Sequence, residues 1–198
     1  MNNLNFDDII RSQINNEMIT VGYIRGNNNV LFIKTGQDGS IYGYENKYIN
    51  IAKRINKEYG CTIFVSTTSS DKKEYYDAEM QIVSNAFSNG EYNIYYFGVS
   101  KGGLIGCWYG ADNPKLKRIV SVNAPLMINF FNKTKPALEK LKSNKAVMVY
   151  GEFDPSFNYT SFLKDIVNYN IVNGADHHFK DKSAEFESII DEYLLFDL

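Results

Sequence analysis

The sequence predicts an α/β protein, with a mostly parallel sheet covered by helices on both faces. Three observations carry that expectation. Short β-branched and aromatic runs alternate with windows that place apolar residues at helical spacing. Polar connections bearing glycine, serine or asparagine separate them, and short links between alternating strands and helices favour parallel strands with helical crossovers. The chain of 198 residues is 44% hydrophobic and 15% aromatic, enough for a substantial core in one domain spanning residues 1–198.

The elements follow in order. Residues 1–17 are polar and asparagine-rich, with a short helix expected over Asp8 to Ile14. Met18 to Arg25 and Val30 to Lys34 read as strands, and Gly26-Asn27-Asn28-Asn29 between them suits a hairpin turn. Thr35 to Ser40 forms a polar loop. Tyr48, Ile51, Ala52 and Ile55 give Tyr44 to Tyr59 a helical face, and Gly60 is a suitable helix stop. Cys61 to Ser66 is a strand, followed by a loop over Thr67 to Ser70. Asp71 is placed to cap a helix reaching Ser88, with Glu74 as its capping-box partner.

Tyr92 to Phe97 then reads as a buried strand and Gly103 to Tyr109 as a helix. Arg118 to Val122 is a strand, and Lys135 to Leu141 a helix after a loop through Asn123-Ala124-Pro125. Ala146 to Tyr150 is an apolar strand, residues 160–167 are expected to be helical, and Tyr169 to Asn173 is a strand. An amphipathic helix over Ser183 to Leu195 closes the series.

Between the fourth expected strand and its helix lies Gly98-Val99-Ser100-Lys101-Gly102, a G-x-S-x-G pattern. A sharp strand-to-helix turn of this kind strains the serine and exposes its hydroxyl. A serine hydroxyl is a weak nucleophile, so it needs an imidazole to take its proton and a carboxylate to orient the imidazole. The chain has two histidines, His177 and His178, both just after the last expected strand. The strand before that ends in Gly151-Glu152-Phe153-Asp154. Asp154 is the favoured orienting acid, with Glu152 and Asp176 as rivals. Asp176 adjoins His177 in sequence, which suits it to bonding its own loop.

Gly98 to Gly103, Gly151 to Asp154 and Gly174 to Phe179 together resemble the α/β-hydrolase superfamily, in its small members without a large cap domain. The likeness runs as a strand–helix order from about residue 18 to the C-terminus. It implies the α/β-hydrolase fold, with Ser100 as nucleophile, the first histidine of the pair, His177, as general base, and Asp154 as its partner. It also implies an oxyanion hole from the backbone N–H groups of Lys101 and of Gln37, in the Thr35-Gly36-Gln37 loop where relatives often carry His-Gly-x. Gly36, Leu126 and Met127 are candidate substrate contacts. Leu126 to Phe131 stands where larger relatives insert a cap, here an insertion of at most about a dozen residues.

The expected activity is hydrolysis of an ester, thioester or related acyl bond of a small molecule, without cofactor or metal. An acyltransferase, a peptidase, or a binding protein built on the same fold are the alternatives. The formal net charge of −2 and scattered lysines give no nucleic-acid groove. No apolar run approaches a membrane span, and the N-terminus lacks the pattern of a secretory signal. Cys61 and Cys107, far apart and without metal-ligand spacing, suit a reduced, cytoplasmic setting, with Cys107 facing the core.

Overall fold

The computed structural model describes residues 5–142 and 144–198. Its strands are β1 (Asp8–Ile14), β2 (Glu17–Ile24), β3 (Asn27–Gln37), β4 (Cys61–Thr68), β5 (Asn93–Val99), β6 (Leu116–Val122), β7 (Ala146–Gly151) and β8 (Asn168–Val172). They form one sheet in the order β1-β2-β4-β3-β5-β6-β7-β8. Pairing from β4 through β8 is parallel, whereas β2 runs antiparallel to both of its neighbours.

The period of two along each strand sorts side chains between two cores. Leu31 and Ile33 of β3 face α1 (Lys47–Tyr59) and α5 (Ser183–Tyr193), packing with Ile49, Ala52, Ile55, Phe186 and Ile190. Val30 and Phe32 face the other way, toward α2 (Lys73–Asn85), α3 (Lys101–Gly110) and α4 (Lys135–Leu141). Helices on both faces explain why β3 and β5 are near-continuous apolar runs rather than alternating ones. Cys107 is fully buried in the second core, as its place on the helix suggested, and Gly60 ends α1 in the left-handed conformation. No helix among the described residues is long and apolar enough to cross a membrane.

Four local expectations are corrected. Asp8 to Ile14 is a strand, not a helix. It pairs with β2 through a two-residue turn at Asn15-Asn16, where Asn15 has φ 54°. That Asn-Asn pair is the chain's tight hairpin turn, since asparagine tolerates positive φ. The segment Gly26 to Asn29 does not make a hairpin. Asn27 N–H donates to Gly60 O (2.7 Å), so the chain passes across the start of β4, and β4 lies between β2 and β3. Both edges of β3 are thereby taken by parallel partners.

The Asp71–Glu74 capping box is absent. The residue before α2 is Lys72, with no side-chain cap, and Asp71 instead turns toward α3. Finally, the helical segment after β7 is a 3-10 helix over Pro155–Leu163, begun by Asp154.

Candidate active site

The sharp strand-to-helix turn expected at Ser100 is formed. Ser100 adopts φ 52° and ψ −124°, outside the ordinary regions for a non-glycine residue, between the end of β5 and the start of α3. Its N–H donates to Val122 O on β6 (2.7 Å), and its hydroxyl has no hydrogen bond to a described residue. Strain of this kind persists only where the surroundings over-determine it. They do so here through close backbone packing. A Cβ on Gly102 would lie 2.4 Å from Thr35 O and 2.5 Å from Lys34 O, and one on Gly98 would lie 2.5 Å from Gly103 Cα. Gly102→Ala should therefore destabilise the protein by about 1–3 kcal/mol, because backbone atoms rather than a flexible side chain must move. Urea unfolding would show it, and an unchanged midpoint would mean that the elbow is not tightly packed.

Asp154 sits in the turn after β7, which ends at Gly151, and is 3% exposed. One carboxylate oxygen, Oδ1, accepts from Ser156 N–H (2.7 Å) and begins the 3-10 helix. The other, Oδ2, lies 2.5 Å from His177 Nδ1. Asp154 is thus both a helix cap and the histidine's partner. Its carboxylate favours the tautomer with the proton on Nδ1, which leaves Nε2 as an acceptor.

The rival carboxylates have other work. Glu152 Oε2 accepts from Gly174 N–H (2.8 Å) and braces the histidine loop. Asp176 Oδ1 accepts from the N–H groups of Lys180 (2.9 Å) and His178 (2.9 Å). Those backbone donors, Lys180 foremost, hold the Asp176 carboxyl below its ordinary range. The His178 ring stands edge-on to His177, centroids 5.2 Å apart.

Asn123, unremarked as a site residue in the sequence, joins three strand ends. Its Nδ2 donates to His177 O (3.0 Å) and Asp176 O (3.2 Å), and its Oδ1 accepts from Gly151 N–H (2.8 Å). It is fully buried with φ 51°. An asparagine directly after an apolar strand is the one local hint of such a brace, since asparagine tolerates that backbone and can donate and accept together.

The end of β3, which runs on as strand through Gln37 where the sequence suggests a polar loop from Thr35, borders the serine. A Cβ on Gly36 would lie 3.3 Å from Ser100 Cβ and 3.8 Å from its Oγ. Gln37 is the last residue of β3, and its Oε1 accepts from Lys101 Nζ (2.9 Å). Beneath this segment a buried ion pair joins Lys34 of β3 to Glu79 of α2, with side chains 3% and 0% exposed. Lys34 Nζ also donates to Thr67 O and Ser66 Oγ, and Ser66 Oγ donates to Glu79 Oε1. The sequence offered no sign of this pair. Lys34 ends an apolar run as a solvent-facing lysine would, and its partner is distant in the chain.

The segment after β6 divides by exposure. Leu126 is fully buried in the core beside α3 and α4, whereas Met127 is 61% exposed. Phe130 is buried and Phe131 is 69% exposed, its ring 5.9 Å from that of Phe162. Trp108 Nε1–H donates to Thr134 Oγ1 (2.8 Å), which pins the one-turn π-helix Phe130–Thr134 to α3.

No family model matches the chain, and no curated protein matches it in sequence. Solved structures do match in fold. Est1E from Butyrivibrio proteoclasticus superposes with a TM-score of 0.72 at 14% identity, over 93% of this chain and 96% of that one. An α/β serine hydrolase homologue from Coxiella burnetii gives 0.70 at 17% identity, over 94% and 97% of the two chains. A Xanthomonas campestris protein described as an α/β serine hydrolase without lid gives 0.63 at 14%, over 93% and 92%. The chain has the α/β-hydrolase fold, in the small form without a cap domain.

Proposed function

We propose that the protein is a serine hydrolase that cleaves an ester, thioester or related acyl bond of a small molecule, with the chain working as one domain. The reading is carried by the 2.5 Å approach of His177 Nδ1 to Asp154 Oδ2, one strand-end series away from a strained serine at an elbow. The near full-length likeness in fold to an α/β serine hydrolase homologue, to an α/β serine hydrolase without lid and to an esterase domain from Rhodothermus marinus supports it.

In this mechanism Ser100 Oγ attacks the acyl carbonyl while His177 Nε2 takes its proton. Asp154 holds the ring and stabilises the imidazolium. The N–H groups of Lys101 and Gln37 bind the oxyanion as charge develops on it. His177 then protonates the leaving group, and the acyl-enzyme is hydrolysed by a water that gives its proton to the same nitrogen.

The deciding experiment is labelling with a fluorophosphonate followed by peptide mapping. Label on Ser100, with turnover of a p-nitrophenyl ester, supports the reading; an unlabelled protein that cleaves no ester in a graded panel overturns it. Within that panel, short and medium acyl chains should turn over faster than long ones. Burial is worth about 0.8 kcal/mol per CH₂ only where a wall receives the chain. Leu126 is already committed to the core, and Met127 and Phe131 stand largely in solvent. Activity rising steadily to dodecanoyl esters would contradict this expectation.

A further inference from the structure

We propose that the Lys101 side chain is a positioning residue. By bonding Gln37 it clamps the end of β3 onto the nucleophile elbow and sets the spacing of the two proposed oxyanion donors. The catalytic consequence rests on the serine-hydrolase reading; the clamp itself does not.

The sheet ladder shows why a clamp is needed. β3 pairs with β5 only as far as Lys34↔Gly98, while its pairing with β4 continues, through an irregularity, to Gln37↔Thr68. Residues 35–37 therefore have no ladder partner on the side that faces Ser100. Their other hydrogen bonds run toward β4 or stay local. Thr68 Oγ1 donates to Thr35 O (2.6 Å), Asp38 N–H to Thr68 O (3.4 Å), and Gly39 N–H to Gly36 O (3.1 Å). Among the described residues, the 2.9 Å bond from Lys101 Nζ to Gln37 Oε1 is the hydrogen bond that joins this segment to the elbow.

The clamp is itself held at both ends. Gln37 Nε2 donates to Asp38 Oδ1 (3.0 Å). Lys101 Nζ stands 3.9 Å from Asp71 Oδ2, and Asp71 O accepts from the Tyr109 hydroxyl (2.8 Å), which ties the Asp71 loop to α3. The Lys101 side chain is only 25% exposed, so its ammonium is not simply solvated. A charged donor makes a shorter, stronger bond than a neutral one. Because the two proposed oxyanion donors are backbone groups at the end of β3 and the start of α3, their spacing is only as fixed as those two segments. Misplacement on the order of 1 Å can cost about a hundredfold in rate.

The test compares the wild type with Lys101→Met, Gln37→Leu, the double variant and Lys101→Arg. Two quantities are read: hydrogen exchange in the peptide covering residues 35–40, and kcat and KM on a short p-nitrophenyl ester. Lys101→Met and Gln37→Leu should each speed exchange in that peptide and lower kcat by about tenfold, with KM changed by less than about twofold, as expected for an interaction that matters only in the transition state. The double variant should be no worse than either single one, because both remove the same bond. Lys101→Arg, which keeps a donor, should restore most of kcat.

Unchanged exchange in Lys101→Met overturns the clamp. So does a rise in KM alone, which would make Lys101 a substrate-binding group, or a loss of thermal stability with kcat intact. A wild-type protein that turns over no ester defeats the hydrolase reading, and the exchange measurement still decides the clamp.

Discussion

Ser100→Ala should lower kcat by at least about 10³-fold on any ester that the wild type cleaves, while the far-ultraviolet circular dichroism stays unchanged. The substitution removes one oxygen from a half-exposed turn, so the fold loses little. What would remain is the binding surface and the proposed oxyanion donors, which give only residual rate. His177→Ala should cost as much, because nucleophile and base act as one unit, and the double variant should be no slower than either alone. Asp154→Asn should also be damaging, yet about ten- to a hundredfold milder than loss of the base. An asparagine can present its amide nitrogen to Nδ1 and hold the wrong tautomer.

His178→Ala is the control within the same loop. Its ring lies edge-on to His177, and Asp154 bonds His177 rather than His178. It should retain most of the activity. The measurement is kcat/KM for the single variants on one ester. If His178→Ala is inactive and His177→Ala active, the base is the other histidine. If both remain active, the mechanism fails, because the chain holds no third histidine.

The largest effect on stability should come from the Lys34–Glu79 pair. Lys34→Met and Glu79→Leu should each cost about 3–5 kcal/mol, since each leaves the partner's charge buried without its counter-ion. The combined variant should recover most of that loss. Two apolar side chains of similar size then replace two desolvated charges, and such exchanges are often neutral or better. Both side chains are at most 3% exposed, so water cannot stand in for the missing partner. Urea unfolding of the full cycle checks it. Single variants within about 0.5 kcal/mol of wild type would show that the pair behaves as a surface ion pair.

The sequence made the strand-and-helix order readable because its signals are local. Val30 to Ile33 and Tyr95 to Phe97 are apolar on both faces, as strands under two helical layers must be. Gly98, Gly102 and Gly103 mark a turn too tight for side chains. Turn chemistry misled where it left the partner open. Gly26 to Asn29 does turn the chain, yet no residue in it states that β4 will lie between β2 and β3. Asp8 to Ile14 suggests a helix because a strand at a sheet edge, with none of its residues fully buried, lacks the buried face that makes periodicity decisive.

By itself, then, the sequence determined the fold class, the elbow around Ser100, and the chain order Ser100, Asp154, His177. These depend on residue type and spacing within a strand, a turn or a helix. Only the tertiary structure decided the strand order, the contact that brings Asp154, the acid the sequence favours, onto His177, and the bonds of Asn123, Lys34–Glu79 and Lys101–Gln37. Each of those joins residues far apart in the chain. Their meeting depends on which strand edges pair and how the helices close over them, a competition settled by the area buried across the whole sheet rather than by any local run of residues.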